Sequence, residues 1–253
     1  MANPVLNEDF VTQERVLTGE PMTIAGTINK TLIMLVLIIA SSAYTWSLLA
    51  QGFVDKAQGL MIGGAIAGFI LALVAIFSTA GALRKGEEPK AVAYITPIYA
   101  VCEGLFLGGI SAFFEAAYTG IVIQAVIATF AALFSMLFLF KIGAIRATEK
   151  FRSIIFVATL SVAVIYLIQI IASFFGRGIP VIFEAGTLGI VFSLVVIAIA
   201  SLNFIIDFDF IERASTNLMP KNYEWYGALG LMITLVWLYL EMLRLLAKLN
   251  SRR

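Results

Sequence analysis

Residues 201–213 read SLNFIIDFDFIER, and this stretch puts acid at the end of a long apolar run. Asp207, Asp209 and Glu212 follow a continuously hydrophobic segment, with Arg213 directly after them. At about 100° per residue, Asp207 shares a helix face with Asn203, Ala200, Val196 and Ser193, a stripe of small and polar side chains. Asp209 points almost the opposite way, with Arg213 four residues on as a natural partner. The expectation is one carboxylate turned into a helical bundle and another turned toward water and headgroups. An ionisable group on the inner face of a membrane helix is costly, and is a functional hypothesis by default. The competing reading is an acid that simply ends the span at the interface.

Composition supports the membrane. The 253 residues are 61% hydrophobic and only 13% charged, where a soluble domain carries about 25% charged residues. The net charge of +1 gives no footing for nucleic acid. A single cysteine, Cys102, excludes a disulfide framework and any CxxC site. Histidine is absent, which removes the commonest metal ligand and the usual general base. Any proton chemistry must therefore run on carboxylates. Residues 1–30 lack the basic region and short apolar core of a signal peptide, and are expected to form a polar cytoplasmic tail.

Apolar runs long enough for a hydrocarbon core of about 30 Å fall at Thr31–Ala50, Leu60–Leu83, Val92–Phe114, Gly120–Phe140, Ser153–Phe175, Glu184–Ile206 and Glu224–Ala247. The connections are short, so residues 31–250 are expected to form one all-α, seven-helix transmembrane domain. Arg84, Lys85, Lys90, Lys141, Arg146, Lys150, Arg152, Arg213 and Lys221 follow the even-numbered spans. Only Lys56 and Arg177 lie in the loops after the first, third and fifth. That asymmetry predicts a multi-pass inner-membrane protein with its N-terminus in the cytoplasm. Seven full spans place Arg244, Lys248, Arg252 and Arg253 outside, against the rule, whereas a re-entrant last helix would return them. Seven spans is the reading adopted.

Gly64 and Gly68 in the second span, and Gly104 and Gly108 in the third, have the spacing of small-xxx-small helix contacts. These two spans are expected to pack together. Four acids lie in or at the edge of apolar runs: Glu103, Asp207, Asp209 and Glu241. Glu103 is about 20 Å along its helix from Lys90, with Thr96 and Tyr99 on its face. Glu241 can pair with Arg244 at i, i+3 and anchor a helix end among headgroups. No HExxH, P-loop, GxSxG or dinucleotide turn occurs. No lysine lies deep in a span to serve as base for an intramembrane protease, and Asp207 and Asp209 diverge on one helix, so they supply no aspartyl dyad. The chain is read as a non-enzyme without cofactor, catalytic residue or resident metal.

SLNFIIDFDFIER, the PIYAVCEGLFLGGIS of the third span, the RKGEEPKA turn before it and the terminal WLYLEMLRLLAKL together resemble the Bax inhibitor (transmembrane Bax inhibitor motif) family, in its bacterial YccA-like branch. The similarity covers nearly everything after the tail. It implies seven helices with the C-terminal one central, and a pH-sensitive calcium leak, linked in eukaryotic members to protection from cell death. One bacterial branch is linked to restraint of a membrane-bound protease. In leak-type members an aspartate of the sixth helix pairs with one of the seventh, and an arginine of the second helix joins them. Asp207 matches the first aspartate. The place of the second falls at Thr234, leaving Glu103, Asp209 and Glu241 as candidate replacements. Arg84 is the candidate arginine by position, expected within about 4–6 Å of Asp207.

Two functions follow. One is a cation leak, calcium or another cation, gated by carboxylate protonation in the lipid bilayer, with a path drawn from Asp207, Arg84, Glu103, Asp209, Glu241 and Thr234. The other is a regulatory module that binds a membrane protease or a stress-response partner, with structural acids. The last helix, apolar almost all round, is expected to be enclosed.

Overall fold

A computed structural model of the chain describes residues 20–85, 87–176 and 184–252. Most of the expected tail and the loop holding Arg177 lie outside the described residues. Seven α-helices follow one another: α1 Ile24–Ala50, α2 Val54–Lys85, α3 Val92–Ala117, α4 Ile121–Lys141, α5 Glu149–Phe174, α6 Thr187–Thr216 and α7 Tyr223–Asn250. Each is long and apolar enough to cross a membrane, and the described residues contain no strand beyond one isolated bridge between Pro21 and Pro220. This is an all-α polytopic membrane fold.

Several helices outrun the apolar segments that mark them, because helix ends are set by capping and charge rather than by hydropathy. Thr23 caps α1, its hydroxyl accepting the Gly26 N–H at 2.9 Å, so the helix starts ahead of Thr31. Arg84 and Lys85 close α2, Lys141 closes α4 and Arg213 lies in the last turn of α6, where a cation meets the negative end of the helix dipole. α6 runs on through Asp207, Asp209 and Glu212, so all three acids have helical phase. Beyond it Leu218 takes a left-handed conformation (φ 52°), and the Met219 N–H returns to the Ala214 carbonyl at 3.0 Å.

The described residues form two compact units, one within Val5–Ala117 and Phe210–Ile233, the other within Tyr118–Asp209 and Thr234–Arg253. In the first, α3 is packed on both sides through glycine. A Cβ at Gly64 of α2 would lie 2.5 Å from the Cys102 carbonyl oxygen of α3. A Cβ at Gly104 would lie 2.5 Å from the Ile38 carbonyl oxygen, and one at Gly108 2.2 Å from that of Ser42. Only glycine permits such an approach. The expected α2–α3 contact is present, but Gly104 and Gly108 serve α1 instead, and the Ser42 hydroxyl donates to the Gly104 carbonyl at 2.9 Å.

From Tyr223 to Lys248 no residue of α7 is exposed. The other six helices each carry exposed large apolar side chains, such as Val36, Phe77, Ile98, Phe134, Ile154 and Leu188, which in a membrane meet acyl chains. α7 is unbroken for 28 residues, about 40 Å of helix, which is long enough to cross a hydrocarbon core of about 30 Å.

Candidate functional site: a line of polar pairs on α5, α6 and α7

The second unit brings three polar stripes together. On α5, Arg152, Thr159 and Tyr166 recur every seven residues and so share a face. On α6 the face is Ser193, Asn203 and Asp207, and on α7 it is Thr234, Glu241 and Lys248. Thr234 Oγ1 donates to Asp207 Oδ2 at 2.7 Å, and Lys248 Nζ donates to Ser193 Oγ at 2.9 Å. Both intervals, 193 to 207 and 234 to 248, are 14 residues, about 21 Å of helix. The two segments are therefore antiparallel and in register, tied by a polar pair at each end.

α5 supplies the rest of the line. Asn203 Nδ2 donates to Thr159 Oγ1 at 3.0 Å, and Tyr166 donates its hydroxyl hydrogen to Glu241 Oε1 at 2.7 Å. Arg152 pairs with Asp209 through its second guanidinium nitrogen. The Asp209 side chain is only 14% exposed, so the expectation of an acid turned toward water is corrected. Arg152 draws it onto α5, because a buried guanidinium needs a carboxylate more than an interfacial carboxylate needs solvent. Asp207 and Asp209 do diverge as their helical phase requires, but both meet protein. Asp207 itself is half-buried.

Glu241 also departs from the anchoring role. Its pair with Arg244 is present at 2.8 Å, but the carboxylate side chain is 1% exposed against 42% for the guanidinium. Arg244 lies over the Tyr166 ring at 4.8 Å, which adds a cation–π contact. The basic end of α7 is spoken for as well. Lys248 reaches the Gly189 carbonyl at 2.9 Å, and Arg252 donates to the Ala185 carbonyl at 2.7 Å and to Thr187 Oγ1 at 2.9 Å.

The remaining candidates lie in the first unit. Glu103 is half-buried, hydrogen-bonded to Tyr99, and backed by Gly68, where a Cβ would come within 2.9 Å of its Oε1. Arg84 is exposed in the last turn of α2. A further acid there, Glu224, was not singled out from the sequence. It is 1% exposed, pairs with Lys30, and accepts from the Thr23 N–H at 2.9 Å and the Thr23 hydroxyl at 3.0 Å. An acid in the first turn of a helix was the available signal. Arg152 was likewise missed as a site residue, although its seven-residue spacing from Thr159 and Tyr166 was visible. Among the described residues no group of three or more His, Cys, Asp or Glu is placed to hold a metal ion.

An all-α membrane protein with a carboxylate–hydroxyl pair joining its last two helices is the class that this geometry defines. The chain belongs to the Bax inhibitor 1-like family: the model of that family, described as "Bax inhibitor 1 like", matches residues 3–251. No curated protein and no solved structure gives a match.

Proposed function

We propose that this protein is a cation leak of the inner membrane, with calcium the ion implied by the family and with its N-terminus in the cytoplasm. Protonation of Asp207 sets its conductance. The observation that carries this reading is the 2.7 Å bond from Thr234 to Asp207, because these are the two positions that the family resemblance assigns to the paired aspartates. Ionised Asp207 accepts the Thr234 hydroxyl and ties α6 to α7. Acid converts the carboxylate to a carboxylic acid, a weaker, uncharged acceptor that can also donate, so the bond from the Thr234 hydroxyl is weakened or reversed. The tie between the helices is thereby reset. With no ready-made acid cluster among the described residues, a passing calcium ion would meet single carboxylates, hydroxyls and carbonyls, as suits an ion that must leave again.

Calcium uptake into liposomes holding the purified protein tests this reading. Thr234→Val removes the tie and should raise flux at neutral pH. Thr234→Asp supplies a second carboxylate, and coupled titration of two carboxylates should reshape the pH dependence. Equal flux from the parent and both variants, at every pH, would leave the leak reading without support. Absence of flux from the parent would favour the regulatory reading, in which the protein binds a membrane protease or stress-response partner.

A further inference from the structure

We propose that the turn joining α4 to α5 binds the phosphate of an anionic phospholipid, whose acyl chains lie on the outer faces of those two helices. Lys141 closes α4, Arg146 stands in the turn, and Lys150 falls in the first turn of α5. All three residues are exposed, and among the described residues none of them is in an ion pair. Cations elsewhere are engaged. Lys30, Arg152, Lys221 and Arg244 each meet a carboxylate, while Lys248 and Arg252 meet carbonyl and hydroxyl oxygens.

Helical phase places these charges over apolar surface. At about 100° per residue, Lys141 shares a face with Phe134 and Phe138, each 62% exposed. Lys150 shares one with Ile154 and Val157, which are 66% and 59% exposed. In a membrane both stripes meet acyl chains, and each ends in a cation where hydrocarbon gives way to headgroups. Between the two helix ends Gly143 turns the chain with a left-handed φ of 69°. The Arg146 guanidinium folds back over that turn, 3.5 Å from where a Cβ on Gly143 would stand.

The charge of this turn is not cancelled at home. Glu149 is the only acid from Lys141 to Lys150, and Arg152 already holds it at 3.1 Å. The turn from α2 to α3 differs, because there Arg84, Lys85 and Lys90 stand among Glu87 and Glu88. An anionic headgroup therefore meets uncompensated positive charge at the α4–α5 turn, whereas a zwitterionic one brings a cation of its own. A free phosphate could use the three cations alone. A diacyl lipid also covers the stripes beneath them, which is why a lipid is the occupant. The site does not depend on whether the protein conducts an ion.

Native mass spectrometry of the whole chain, released from nanodiscs of equal phosphatidylglycerol and phosphatidylcholine, tests the proposal by counting the lipids that stay bound. The parent should retain phosphatidylglycerol in preference to phosphatidylcholine. Lys141→Gln, Arg146→Gln and Lys150→Gln should each lower that preference about fivefold, the effect of one basic residue beside an anionic headgroup, and the triple variant should show no preference. Lys85→Gln with Lys90→Gln should keep it. Added inorganic phosphate, which has no acyl chain, should fail to displace the bound lipid. If the triple variant does not fold, the three single changes decide by the same comparison. Selectivity that survives removal of the three cations, an equal loss from the α2–α3 changes, or displacement by inorganic phosphate overturns the proposal.

Discussion

In the unit of α1–α3 the helices are held by the approach of backbones, whereas α5–α7 in the other unit are held by side-chain polar pairs. Gly104 and Gly108 of α3 sit against the Ile38 and Ser42 carbonyls of α1 with no room for a methyl group. Arg152–Asp209, Asn203–Thr159, Asp207–Thr234 and Tyr166–Glu241 instead span the gaps between helices with hydrogen bonds. Lipid is as apolar as leucine, so burial of apolar surface cannot choose a helix's neighbour there. Close van der Waals packing is one solution, and it admits little change. Polar pairing is the other, and it can be reset by a proton, which suits a unit proposed to switch.

On the close-packed side the contrast breaks at glycine. Gly108→Ala should prevent stable assembly of α1 on α3, because the new methyl would lie 2.2 Å from the Ser42 carbonyl oxygen, and overpacking typically costs about 1–3 kcal/mol, occasionally more. Expression and thermal unfolding in detergent would report it. Gly63→Ala is the control, since nothing lies within 4 Å of a Cβ at that position, and it should behave as the parent. Equal behaviour of the two variants would refute the close-packing account.

The polar unit is probed next. Arg152→Ala removes the guanidinium that binds Asp209 and Glu149 and should destabilise by about 3–5 kcal/mol, the cost of breaking a buried pair from one side. Replacing both, Arg152→Met with Asp209→Leu, should recover much of that loss, because the buried pair is removed from both sides and Glu149, the other partner of Arg152, is 58% exposed and keeps its water. A double variant as unstable as the single one would mean that packing rather than pairing holds this contact. In the first unit, Glu224→Gln weakens the links to Lys30 and Thr23 and should cost about 1.5–3 kcal/mol, the range for charged hydrogen bonds.

The smallest effect belongs to Glu20 and Lys221, an exposed ion pair beside the antiparallel bonds Met22–Met219 and Lys221–Glu20. The hydrogen bond from Lys221, with its charge, holds the Glu20 carboxyl below its ordinary range. A depressed carboxyl stabilises the fold above its unfolded value and loses that contribution as pH falls through the folded one. Because both groups are exposed, the loss should be slight. Lys221→Ala should therefore leave the acid limb of thermal unfolding almost unmoved, and a large displacement would show that the pair matters more than exposed pairs do.

The seven helices were legible because span length is fixed by the bilayer, and the phase of Asp207 followed from helical geometry alone. Their ends were less so: Thr23 and Arg213 continue helices through caps and dipole contacts that hydropathy does not register. The small-xxx-small pairs announced close packing, yet Gly104 and Gly108 could not reveal that α1 would be their partner. Asp209 was misread because its own helix offers Arg213, while the residue that turns it inward, Arg152, is 57 positions away on another helix. Glu241 could be paired with Arg244 from spacing, but its burial depends on neighbours that the sequence does not order in space.

The central claim is that Asp207 makes conductance respond to acid. Calcium flux into liposomes, measured for the parent and for Asp207→Asn across a ramp from neutral to acidic pH, tests it most directly. The parent should change its flux along the ramp, and Asp207→Asn, which has no proton to gain at that position, should give a flat profile. An Asp207→Asn profile that follows the parent's at every pH would contradict the account.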